Sequence, residues 1–379
     1  MEEKAGRGPA APMAASPLAI QSYALLDDAE CEARIVAAKE KLGDELVILG
    51  HHYQREEVFR HADRTGDSLK LSRQAAASGA RYIVFCGVHF MAEVADILSG
   101  PGQVSILPDL AAGCSMADMA VLSKVERAWR ELTEVLGDAD AAVTPVTYIN
   151  SAADLKAFCG RHGGIVCTSS NAARVLEWAF ARRDKVLFFP DQHLGRNTGW
   201  SMGIPLEEMA VWDYDRPYGG LTPEEIRKAR ILLWKGFCSV HQMFRPEHID
   251  AFKARYPEAK VVSHPECSFE VCRKSDAVGS TEFIIRTVAE SPPGTRWLVG
   301  TELNLVNRLH ERHKAEGKNV HFMAPTVCMC STMFRIDPQH LAWTLDNLVE
   351  GRVVNRIRVP EDVAAQAREA LDRMLEVSP

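Results

Sequence analysis

The chain has 379 residues, 46% of them hydrophobic and 25% charged, with a formal net charge of −7. That length suits two or three domains, and the composition is that of an ordinary globular enzyme. The acidic balance and the lack of a basic run argue against nucleic acid, and no stretch nears the eighteen apolar residues of a membrane span.

The N-terminal twenty residues open on Glu2 and Glu3 and are broken by Pro9, Pro12 and Pro17. They read as a disordered tail rather than an export signal. A cytoplasmic, reducing setting follows, in which the ten cysteines serve as core residues, ligands or catalysts rather than disulfides. No C-x-x-C occurs; the tightest pair is Cys328 and Cys330.

From about residue 45, short β-rich runs alternate with helical patterns, the mark of α/β units with parallel sheets. The runs fall into three groups. The first is 46–53, 82–87 and 104–109; the second is 142–150, 165–171 and 186–191; the third is 260–266, 276–281, 297–302 and 320–325. The first strand of each group ends in HHY, YIN or HPE, and the second in CGVH, TSSN or GST. Ligands of open α/β sheets gather beyond the carboxyl ends of strands, so three such sheets would pool these polar tips in one cavity. The segment from Asp191 to Pro205 reads as a loop. The segment from Leu221 to Gly236 reads as a helix capped by Thr222 with Glu225 as its capping-box partner. Two amphipathic helices close the chain.

The expected division is a tail (1–22), three α/β lobes (23–125, 126–245 and 246–345) and a C-terminal helical extension (346–379). The fold class is α/β, with three lobes whose short parallel sheets face one axis.

Cys31, Cys86, Cys159 and Cys167 read as core, while Cys267 and Cys272 are ambiguous. Cys114, Cys238 and Cys330 each follow an apolar run in a polar, Gly- or Pro-bearing context, one per lobe. Cys114 lies near a helix start, where thiolate is favoured. His310 and His313, on a charged helix, read as solvated, whereas His51, His241 and His264 occupy strand ends or adjoin a candidate ligand. No Walker loop or G-x-G-x-x-G supports nucleotide binding. Cys238 and His241 have zinc-ligand spacing, so a zinc hydrolase is one alternative, and a non-catalytic ligand-binding protein is another.

The blocks HHYQ, GDSLKLSR, GVHFMAE, LPDLAAGCSMADM, YINSAADLKA, CTSSNA, FPDQHLG, KGFCSVHQMF, HPEC, GST and GTE, with C-S-T-M near 330, occur in order over residues 45–345. Together they resemble quinolinate synthase. The added length around 192–215 and the Cys-x-Cys resemble the longer subgroup of that family.

The resemblance implies three similar three-layer αβα domains about a pseudo-threefold axis and one [4Fe-4S] cluster held by Cys114, Cys238 and Cys330, with Cys328 as the rival third ligand. Three ligands leave one iron open. The implied reaction joins iminosuccinate to dihydroxyacetone phosphate, giving quinolinate, phosphate and two waters on the route to NAD. It also implies His51, Ser68, Tyr148, Asn150, Ser169, His264 and Thr281 as substrate-binding residues. Tyr53 and Glu266 would transfer protons, with His241 beside the cluster. Ser68, Ser169 and Thr281 would also serve as plain helix caps. His52 departs from the common pattern, and no motif places Arg196 or Asn197. An enzyme that supplies iminosuccinate is the implied transient partner.

Overall fold

The computed structural model describes residues 16–326 and 329–378. Fourteen strands among these residues form three sheets. The first unit holds β1 (Leu46–His51), β2 (Arg64–Gly66), β3 (Tyr82–Cys86) and β4 (Val104–Ile106). The second holds β5 (Val143–Tyr148), β6 (Ile165–Cys167), β7 (Lys185–Phe189), β8 (Met209–Trp212) and β9 (Ile231–Trp234). The third holds β10 (Lys260–Ser263), β11 (Ala277–Val278), β12 (Arg296–Gly300) and β13 (Asn319–Phe322). A last strand, β14 (Arg356–Ile357), pairs antiparallel with β4.

The sheet orders share one plan. They run β14-β4-β3-β1-β2, β6-β5-β7-β9-β8 and β11-β10-β12-β13. Four strands of each follow the spatial order 2-1-3-4, all parallel. Such a sheet has its switch point between strands 1 and 3, and each first strand here carries reactive residues at its carboxyl end. Every residue of β1 and β5 is buried, as expected for parallel strands covered by helices on both faces.

The threefold correspondence differs from the expected one. The first unit contains β2, only three residues long, which no apolar run announces. CGVH therefore follows a third strand, and the true partner of TSSN and GST is the TGDS at 65–68. The expected loop after Asp191 is the helix Gln192–Ser201, capped by the Asp191 side chain. The capping box of Thr222 and Glu225 forms, but its helix ends at Lys228 and ILLW is strand β9.

The first two sheets share one continuous apolar core with the two C-terminal helices. The third sheet has its own core, divided by its alternating faces. Val261 and Leu298 pack on one side, and Val262, Trp297 and Val299 on the other. The helix Glu361–Glu376 packs on the helix Ala153–Arg161 and on β6. Residues 1–15 of the expected tail lie outside the described residues. By Leu18 the chain is docked: its amide donates to Asn347 Oδ1 (2.9 Å), and its carbonyl accepts from Trp343 Nε1 (2.6 Å). His313 is buried against Glu316 (2.8 Å) rather than solvated.

Candidate active site

One cavity is lined by residues of all three units. Its wall includes Cys114, Cys238 and Cys330, the donors His51, Ser68, Tyr148, Asn150, Ser169, His264 and Thr281, and Tyr53, Glu266 and His241. All thirteen residues singled out in the sequence thus meet there. Arg196 and Asn197 do not line it. Arg196 stays on its own helix near Gln192, and Asn197 donates to the carbonyls of Pro265 (2.8 Å) and Cys267 (2.9 Å).

The cysteines sit in three copies of one turn. Each is followed by serine, at Ser115, Ser239 and Ser331. Each cysteine carbonyl accepts from the amide four residues on: Asp118 (3.0 Å), Gln242 (2.9 Å) and Phe334 (2.9 Å). A 3-10 turn begins three residues after each, at Ala117, His241 and Met333, in place of the helix start expected for Cys114. The amides of those same three residues also reach the sulfurs. Cys330 shares this geometry in full; Cys328 lies outside the described residues.

Burial pushes the Cys114 thiol up to about 12, Cys238 well above its usual value, and Cys330 upward. The sulfurs also feel one another, since Cys330 and Cys114 both oppose ionisation of Cys238. Three partly buried thiols facing one space resist joint ionisation unless a cation joins them, and bound metal inverts that balance. The donor set therefore fits a thiolate-bound metal centre.

Two carboxylic acids stand behind the turns. Asp191 follows β7 and accepts from the Cys238 amide; Glu302 follows β12 and accepts from the Cys330 amide. Burial raises Asp191 well above the carboxylate range and Glu302 to about 7. The corresponding position after β3 is Val88.

The polar wall repeats as well. His51 Nδ1 accepts from the Tyr53 amide (3.1 Å), and His264 Nδ1 from the Glu266 amide (3.3 Å). That bond leaves the hydrogen of each neutral ring on Nε2. Burial holds both imidazoles down to about 3, so they are neutral at pH 7. His52 turns away to Glu282, 3.0 Å from its Nε2. Asp67 and Ser280 cap the helices that begin at Ser68 and Thr281. Ser68 and Thr281 occupy their first turns and line the cavity; Ser169 lines it just before the helix Ala172–Phe180.

Glu266 is the hub of the remaining contacts. Its Oε1 accepts from the Tyr148 hydroxyl (2.6 Å), and its Oε2 lies 2.8 Å from His241 Nδ1. Burial opposes ionisation of Glu266, but the imidazoles of His264 and His241 and the Tyr148 hydroxyl outweigh it, so the carboxyl sits below its ordinary range. Burial, then the charge of Glu266, keeps the Tyr53 and Tyr148 phenols protonated well above their usual value. The Tyr53 hydroxyl lies 3.1 Å from Thr281 Oγ1 and 2.9 Å from Thr301 Oγ1.

Asp191, Thr301 and Glu302 escaped the sequence reading. Their only signal was the polar residue closing FPD and GTE. Cys238 and His241, the pair behind the zinc alternative, present donor atoms within 4.8 Å of one another and of Glu266.

Comparison with known proteins decides between these readings. A sequence model of the family described as Quinolinate synthetase A protein matches residues 33–376. The quinolinate synthase of Acidobacterium capsulatum is 57% identical over 94% of this chain and 96% of its own length. That of Herpetosiphon aurantiacus is 55% identical, over 94% and 95%. That of Rhodopirellula baltica is 56% identical, over 94% and 93%. Neither a zinc hydrolase nor a passive binding protein accounts for similarity along the whole chain, and the chain belongs to the quinolinate synthase family.

Proposed function

We propose that this enzyme condenses iminosuccinate with dihydroxyacetone phosphate to form quinolinate, phosphate and two waters, as a step toward NAD. Its resident cofactor would be a [4Fe-4S] cluster on Cys114, Cys238 and Cys330. The observation that carries the reading is the meeting of three equivalent cysteine turns, one from each third of the chain, on the wall that also holds Tyr53, His241 and Glu266. A bound cluster with one open iron supplies Lewis acidity, which polarises a substrate oxygen and helps water depart.

The protein residues supply the rest. The substrates carry two carboxylates and a phosphate. Helix N-termini at Ser68 and Thr281 offer amides and a favourable dipole to such anions. The Nε2–H of His51 and of His264, with Tyr148, Asn150 and Ser169, add donors around the cavity. Glu266, ionised and buried, is the proton acceptor for enolisation and imine formation. The Tyr53 phenol is the matching donor. His241 holds Glu266 from the cluster side and keeps its second oxygen from turning away.

The two substrates contain all the atoms of quinolinate, phosphate and two waters, so no net electron transfer is required. Iminosuccinate reaches the site from another enzyme in this reading, and the cytoplasm remains the proposed setting. No helix among the described residues is long and apolar enough to cross a membrane.

Anaerobically purified protein, assayed for quinolinate with iron and sulfide counted in the same sample, tests the proposal. Quinolinate formation that tracks cluster content supports it. Full activity from iron-free protein overturns it.

A further inference from the structure

The Tyr53 loop belongs to the first unit, yet the third unit holds it in place. Tyr53 stands two residues past the end of β1, in a turn closed by the Gln54 amide on the His51 carbonyl (3.0 Å). The three carbonyls of that turn all point to one helix, Leu303–His313. Arg308 Nη1 donates to His52 O (2.8 Å), and Arg308 Nη2 to Gln54 O (2.7 Å). Asn304 Nδ2 donates to the carbonyl between them, Tyr53 O (3.3 Å). Asn304 and Arg308 are four residues apart and so share a helix face. The guanidinium also lies over the Phe59 ring, 3.7 Å from its centroid, and its Nε donates to Glu56 (2.8 Å). The planar fork of arginine reaches two carbonyls at once, which a lysine cannot reproduce. Tyr53 is partly buried against both the first unit's core and a cluster of the third, and these polar bonds hold the backbone that carries its ring.

We propose that Arg308, with Asn304, is a positioning residue for the reaction: the pair fixes the Tyr53 backbone so that its hydroxyl meets the substrate between Thr281 and Thr301. This rests on the assignment of Tyr53 as proton donor above. Misplacing a reacting group by about 1 Å costs on the order of a hundredfold in rate.

The test uses anaerobic, cluster-loaded enzyme with Arg308→Gln, Arg308→Lys and Asn304→Ala, alone and in a Tyr53→Phe background. Arg308→Gln is expected to lower kcat about 10- to 100-fold with KM nearly constant and iron and sulfide unchanged. Arg308→Lys recovers part of that loss, and Asn304→Ala shows a smaller change of the same kind. In the Tyr53→Phe background the Arg308→Gln loss disappears, because there is no hydroxyl left to place. Hydrogen exchange at the amides of 52–55 speeds up in Arg308→Gln, whatever the turnover. Losses that multiply in the double variant, a rise in KM alone, or unchanged exchange at 52–55 would overturn the proposal. Failure of the unsubstituted, cluster-loaded enzyme to make quinolinate would instead overturn the functional reading beneath it.

Discussion

Glu266 carries the densest set of contacts in the cavity, and it makes the sharpest residue-scale prediction. Glu266→Gln keeps the shape but removes the proposed base, so turnover should fall by about 10²–10⁴-fold while iron and sulfide per chain stay constant. Loss of the cluster instead would make Glu266 a structural support. Tyr148→Phe should cost less, because it removes one donor to Glu266 and leaves the carboxylate in place. Steady-state kinetics on both variants separate the two roles.

The buried imidazoles link stability to pH. His51 and His264 titrate near 3 in the folded protein, against 6.5 for an unperturbed ring. Between those values the unfolded ring binds more protons, so the contribution of each ring to stability falls as pH drops below 6.5 and is flat above it. At pH 5.5 each ring costs roughly 1.4 kcal/mol relative to pH 7.5. Urea unfolding at the two pH values, under anaerobic conditions, should show that the pH 5.5 versus 7.5 difference of His51→Gln departs from that of the unsubstituted protein by roughly 1.4 kcal/mol, the share of one ring. An unchanged slope in that variant would mean that His51 is not held neutral by burial.

Elements were legible where burial imposed a pattern. β1, β5 and β9 are apolar on both faces and read as short runs; the last was confused with a helix because four buried residues fit either period. β2 has no such run. The helix Gln192–Ser201 was hidden by Gly195 and Gly199, which look like loop residues. Their reason is close packing: a Cβ on Gly195 would sit 2.6 Å from Leu233, and one on Gly199 2.7 Å from Ile231. Gly160 obeys the same rule at the C-terminal helix, where a Cβ would lie 1.9 Å from the Gln366 carbonyl oxygen. Gly160→Ala should therefore destabilise by about 1–3 kcal/mol, although Ala is the better helix former. Thermal unfolding decides the sign, and a stabilised variant would contradict the packing.

At the scale of the whole molecule, three repeated sheets turn local chemistry into a shared site. The cysteines and strand-end donors were readable because they lie at chain positions where α/β sheets present ligands. Asp191, Thr301, Glu302 and Arg308 were not, because each acts through a contact with a distant segment. The division of the core also has a consequence. The third unit is joined to the first through polar bonds such as His52 to Glu282 (3.0 Å) and Arg308 to the 52–54 turn, with Tyr53 packed against both cores. Amides in β10 and β12 should therefore exchange independently of those in β1 and β5, which share one core. A single exchange rate for all four strands would contradict that division.

The most direct measurement is metal and sulfide analysis of anaerobic protein, repeated for Cys114→Ser, Cys238→Ser, Cys330→Ser and Cys328→Ser. The account predicts about four iron and four sulfide per chain in the unsubstituted enzyme and in Cys328→Ser, and loss of cluster and quinolinate formation in the other three. Zinc without sulfide, or a cluster that survives Cys330→Ser and vanishes in Cys328→Ser, would contradict it.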